Sequence, residues 1–259
     1  MVNSINGVKF NQKQFEVISY GNDNNVVQLR HKKTGIVIDF NKDAQYTNAR
    51  VLYAKGFVRL RDFATENSDM KVNVTGTNGS DCVLVKNSRV GNIDLGDGAD
   101  TVFLDGSTFE NVNIGSSVDE DGYTDYIMAY NSQVAEGKTG QLNANVVRCM
   151  DNIDEPFQNV TIEANSACIN SSKIENVTIN SNSACFNNAE IKNSTVNANC
   201  ISLNSVDSEN NSYTTTQGEP DSKSLFSSRY VTSTNDKIAS KDLNFGKYTQ
   251  ITGIEINNK

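Results

Sequence analysis

Short apolar runs alternate with polar residues along most of this chain, and between residues 157 and 213 the alternation repeats. The segments FQNVTIEANSACINSS, KIENVTINSNSACFNNA and EIKNSTVNANCISLNSV align without gaps, so that Asn159, Asn176, Asn193 and Asn210 stand 17 apart, as do Ile162, Ile179 and Val196. Longer copies lie upstream: VGNIDL and FENVNI place Asn92 and Asn111 19 apart, and YIMAYNSQVAEGKTGQL carries an insertion. Each apolar segment is the width of a short strand with one buried face. Such a unit cannot bury that face alone, and stacking copies solves the problem. The pattern predicts an all-β fold, a single-stranded parallel β-solenoid with coils of about 17–25 residues and a rise of about 4.8 Å per coil.

Stacking turns equivalent positions into columns. Val83, Val102, Ile127, Val147, Ala167, Ala184 and Ile201 make one inward column, and Val85, Leu104, Ala129, Cys149, Ile169, Phe186 and Leu203 the next. Val90, Phe109, Val134, Phe157, Ile174 and Ile191 make a third. Asn92, Asn111, Asn159, Asn176, Asn193 and Asn210 are expected to form an internal amide ladder, in which stacked side chains satisfy one another. The repeat sets the expected organisation: residues 1–57 a β-rich N-terminal cap, 58–213 the solenoid, and 214–259 a segment that packs back on a lateral face or caps the stack. Lone His31 falls in a hairpin turning at Lys33, Thr34 and Gly35 and is expected at the surface.

Composition narrows the function. The formal charge of −8 and pI near 4.8 disfavour nucleic acid, because phosphate backbones attract cationic surfaces. No stretch has the length and apolarity of a membrane span, so membrane insertion is not expected. The opening MVNSINGVKFNQKQF has no apolar core of signal-peptide length, which leaves the export route open. Five Cys without a CxxC pair, and one His, form neither a disulfide framework nor a zinc motif. Abundant Asn with two Pro suits tight corners, since Asn tolerates left-handed backbone.

The Asn ladder and short parallel strands resemble the right-handed parallel β-helix, the pectate-lyase-like architecture, over roughly residues 58–213. A left-handed helix or a flatter β-roll is the alternative. A left-handed helix implies strict six-residue periodicity, which this sequence lacks.

Candidate chemistry sits in one column: Asp81, Asp100, Asp125, Asn145, Asn165, Asn182, Asn199. Three carboxylates about 5 Å apart in a partly desolvated corner require protons or cations. The segment GDGADTV at 96–102 resembles the nonapeptide of calcium-binding repeat-in-toxin proteins, with Gly96, Gly98, Asp100 and Val102 matching and Leu95 replacing the first Gly. That resemblance implies Ca²⁺ held by Asp81, Asp97, Asp100, Asp119, Asp121 and Asp125. The other reading makes these acids Asx caps splayed to solvent.

The outward position reads Leu84, Phe103, Met128, Arg148, Cys168, Cys185, Ser202. A stripe this apolar implies a cover: residues 214–259, the N-terminal region, a partner, or a second copy docking on Leu84, Phe103 and Met128. Together these features favour a non-enzymatic, secreted or surface solenoid that binds a protein or glycan and is stabilised by calcium. The alternatives are a polysaccharide lyase or hydrolase acting on an acidic glycan through lateral carboxylates, and an effector-type protein-binding module. For the lyase reading, Lys86, Arg89 and Arg148 are the available bases, and none sits in a catalytic motif.

Overall fold

The computed structural model describes residues 2–20, 26–64, 71–115, 124–215, 225–246 and 248–257. It is all-β, with parallel strands stacked into a solenoid of about 9 turns. No described helix is long and apolar enough to cross a membrane.

The first inward column shows how the stack is built. Val58, Val83, Val102, Ile127, Val147, Ala167, Ala184, Ile201, Phe226 and Leu243 are successive in-register partners, 25, 19, 25, 20, 20, 17, 17, 25 and 17 residues apart. All but the last are buried. Alternate residues point inward, so each strand delivers apolar side chains to one continuous core while its main chain bonds the coils on either side. Coil length varies only in the corners, which is why the columns survive insertions.

The N-terminal region pairs differently. Val2–Ile5 and Val8–Asn11 form an antiparallel hairpin, and Phe15–Tyr20, Val26–His31 and Val37–Asn41 an antiparallel meander. Arg50–Ala54 turns back on Phe57–Arg61, and from there the parallel stack begins. His31 is 2 % exposed rather than at the surface. Its ring stacks on Tyr53 with centroids 4.0 Å apart, and Nδ1 is 2.9 Å from Thr34 Oγ1.

One expectation narrows and another changes. Of the two placements expected for residues 214–259, the described strands take the end of the stack and not a lateral face: Leu225–Thr234 pairs in parallel with Thr195–Glu209, and Asp242–Phe245, Gln250–Thr252 and Glu255–Asn257 extend the stack. The Asn residues at 92 and 111 do not share a column with those at 159, 176, 193 and 210. Asn111 pairs with Gln141, and Gln141 with Thr161. Asn159, Asn176, Asn193 and Asn210 are instead exposed corners with φ of 56, 54, 50 and 58°. Their side chains tolerate left-handed backbone at low cost, which accounts for Asn at these corners.

Candidate functional site

The acid column exists, and it is internal. Asp81, Asp100 and Asp125 are 2, 0 and 0 % exposed, placed where the chain enters the strands Cys82–Lys86, Thr101–Asp105 and Tyr126–Tyr130. Asp100 and Asp125 each cap the coil before, and Asp81 closes its own loop. The Asp81 amide donates to Asp100 Oδ1 at 2.8 Å, the Asp100 amide to Asp125 Oδ1 at 2.9 Å, and the Asp125 amide to Asn145 Oδ1 at 3.3 Å. Asp81 Oδ2 takes the Thr77 amide at 2.6 Å and the Thr77 hydroxyl at 3.0 Å. The acids therefore act as caps, as one sequence reading had it, but they are not splayed to solvent.

Two further corners use the same device. The Ser88 amide donates to Ser107 Oγ and the Ser107 amide to Ser132 Oγ. The Ser194 amide donates to Asn211 Oδ1 and the Asn211 amide to Asp236 Oδ1. Any acceptor of suitable length fits such a rung, which explains why Asp, Asn and Ser interchange there. Beyond Asn145 the column turns outward: Asn165 and Asn182 are exposed, and their amides stack along the axis with Asn199.

Charge makes the Asp rungs unlike the others. Asp100 Oδ2 is buried with no hydrogen-bond partner. Burial pushes the Asp100 carboxyl up to about 7, opposed by its bond from the Asp81 amide and reinforced by Asp81, Asp125 and Asp97. Burial also raises Asp81. The unpartnered oxygen points to a proton or an ion, and calcium takes six to eight oxygens. Among the described residues no group of three His, Cys, Asp or Glu side chains is arranged to hold a metal. Gly96 and Gly98 do have positive φ, 84 and 124°, and a Cβ on either would strike the loop of the coil below, at Thr77 O or the Gly79 main chain. These glycines are thus required for loop stacking. Asp97 is exposed on that loop, and Asp119 and Asp121 lie outside the described residues.

The outer face of the same strands carries the predicted stripe, half-buried at Leu84, Phe103, Met128, Cys168 and Cys185 and exposed at Arg148 and Ser202. No described C-terminal strand covers it. Its aromatic residues cover one another instead: Phe57 and Phe103 lie 5.7 Å apart between ring centroids, Phe103 and Tyr126 6.1 Å, and the Arg148 guanidinium stands 5.7 Å over Tyr126. Arg59 precedes Leu84 in this column, and Arg61 and Lys86 adjoin it. Arg59 Nε and Arg61 Nε are buried without partners, whereas Lys86 pairs with Asp105. Among the described residues Arg59, Arg61, Lys86 and Arg148 thus gather on this face with Asp105, and Arg229 and Asp242 stand further along it, on a chain with net charge −8.

The sequence reading missed two clusters. Asp39, Lys71 and Glu110 line a lateral cavity of about 300 Å³ with Asn73 and Asn92. There Lys71 is ion-paired to Glu110, and burial raises the Asp39 carboxyl. The other is interior: Asp236 Oδ2 accepts from the Ser208 and Ser233 hydroxyls at 2.6 and 2.5 Å, beside buried Tyr213. The 17- and 25-residue steps from Ser194 to Asn211 to Asp236 were its available signal.

Comparison with known proteins finds no protein-family model, no curated protein and no solved structure that matches this chain.

Proposed function

We propose that this protein is a non-enzymatic binding solenoid whose outer face takes an extended anionic ligand, an acidic glycan. The observation that carries the reading is the cationic, aromatic character of one face on an otherwise acidic chain. Arg59, Arg61 and Arg148 offer fork-shaped donors suited to carboxylates or sulfates, and the row of Phe57, Phe103 and Tyr126 offers flat apolar contact. In-register stacking repeats these contacts along the axis, which suits a polymer. The buried Asp column speaks against catalysis by those acids, since each carboxylate is enclosed in the coil and bonded to a main-chain amide. A secreted or surface location accords with such a ligand.

Calorimetric titration with polygalacturonate tests the reading. Binding is expected at low ionic strength, weakening as salt screens the charges, and weakening about tenfold or more in Arg59→Gln/Arg148→Gln, where two charge-assisted contacts of about 1.5–3 kcal/mol each are removed. Equal binding by wild type and variant, or no binding at any salt, sinks the proposal. Release of unsaturated, ultraviolet-absorbing ends would make the protein a lyase instead. Repeating the melt with calcium and with chelator tests the ion: a bound Ca²⁺ raises Tm by mass action.

A second reading has one specific support, the cavity holding Asp39 and Glu110. If it cleaves glycans, a screen for reducing ends gives activity that Asp39→Asn abolishes.

A further inference from the structure

Further along the same face, past Arg148, two thiols stand side by side. Cys168 and Cys185 are in-register partners on adjacent coils, half-buried, and their side chains are in hydrogen-bonding contact. Each sulfur also receives an amide hydrogen from its own strand: Asn170 Nδ2 lies 3.3 Å from Cys168 Sγ and Asn187 Nδ2 3.2 Å from Cys185 Sγ. A second hydrogen of Asn187 Nδ2 goes to Asn170 Oδ1 at 2.9 Å, and Asn204 Nδ2 reaches Asn187 Oδ1 at 3.4 Å. The amide ladder therefore holds both donors in place. Arg148 is the in-register neighbour of Cys168.

We propose that Cys168 and Cys185 form a two-thiolate site for a soft, thiophilic cation, with monovalent copper as the ion that fits. Thiolates select soft metals, and the two fixed N–H donors, one on each sulfur, suit negative sulfur. Zinc would seek four ligands in a tetrahedron. The outward positions flanking the pair are Ser166, Ser183, Asn170 and Asn187, and along the column Arg148 and Ser202, so no further imidazole or carboxylate is at hand. A two-coordinate ion needs none.

Spacing admits a bridging ion. In-register neighbours on adjacent coils stand about 4.8 Å apart along the backbone, which also lies within the Cα range of about 4.4–6.8 Å of a disulfide, so the ion requires the reduced pair. Two metal–thiolate bonds of about 2.3 Å span up to about 4.6 Å between sulfurs. The step involves no electron transfer: two thiols and one Cu⁺ give a bis-thiolate anion and two protons, with the Asn170 and Asn187 amides beside the resulting charge.

The test is anaerobic competition for Cu⁺ between the reduced full-length chain and bicinchoninate. Wild type is expected to withdraw one equivalent, with affinity rising up to about a hundredfold per pH unit because two protons leave. Cys168→Ser and Cys185→Ser should each weaken binding by more than about a hundredfold, the upper end of what loss of a supporting shell alone costs. Cys200→Ser, one coil on and one column across, should bind as wild type does. Unchanged melting of the apo variants separates ligand loss from misfolding. Binding retained by the Cys168→Ser/Cys185→Ser double variant, or uptake that follows Cys200, overturns the proposal. So does a reduced protein that takes no copper but closes a Cys168–Cys185 disulfide in oxidised glutathione. The glycan titration above is independent of this result.

Discussion

Asp100 uses one oxygen and leaves the other idle. Its Oδ1 caps the Asp81 amide, while its Oδ2 is enclosed with no partner. An ionised carboxylate in that position is a cost, and the cap needs no charge, since Asn145 caps the Asp125 amide equally. The folded chain therefore holds the Asp100 proton up to about pH 7, where an unfolded chain releases it near 3.8. Between those values the native state binds the extra proton, so this contribution to stability is complete below about pH 4 and is lost as pH rises through 7. Three units correspond to on the order of 4 kcal/mol as an upper bound. Urea midpoints across this range should fall with rising pH, and Asp100→Asn should flatten the fall and gain stability at pH 8. An unchanged slope in the variant would show that the proton sits elsewhere.

At the scale of strands and corners, an inward rung and an outward rung look alike in sequence but differ in worth. Ser107 Oγ is the acceptor for the buried Ser88 amide at 3.2 Å, so Ser107→Ala leaves that donor unpaired at about 1–3 kcal/mol. Asn182 bridges Asn165 and Asn199 in the open, where water replaces either bond, and Asn182→Ala should change stability by less than about 0.5 kcal/mol. Equal losses in chemical denaturation would contradict this division. The same distinction sets what could be read in advance. The columns through Val83 and Val85 were legible because strand spacing is preserved while corners absorb insertions. Sidedness at a corner was not legible, because it depends on whether a loop interrupts the strand. Residues 95–100 form such a loop and turn Asp100 inward, whereas Val160–Asn170 runs through and leaves Asn165 outside. The Asn columns were merged for the same reason: 17-residue spacing marks equivalence between coils of equal length, and the coils carrying Asn92 and Asn111 are longer. The last coils escaped notice because a 25-residue step separates Asn210 from Asn235. The cationic face was hidden by the total charge, which says nothing of where Arg59, Arg61 and Arg148 meet.

For the molecule as a whole, each coil bonds only the coils before and after it, so stability should be a sum of neighbouring interfaces. Ending the chain after Thr215 tests this. The cut removes the partner strand of Thr195–Glu209 and the Phe226 ring packed 5.5 Å from Tyr213. It also removes Asp236, which accepts from the Asn211 amide and from the Ser208 hydroxyl. Those donors then open toward solvent at the new end, so the local cost stays near a few kcal/mol, while coils before Thr195 keep both neighbours. The β spectrum of the remaining coils should persist, with hydrogen exchange faster in Thr195–Glu209 and unchanged around Gly140–Met150. The bared strand edge invites a second copy, so sedimentation should show association that grows with concentration in the shortened chain and exceeds that of the full one. Collapse of the whole spectrum on truncation would mean that stability is shared globally, and the additive picture of stacked coils would fail.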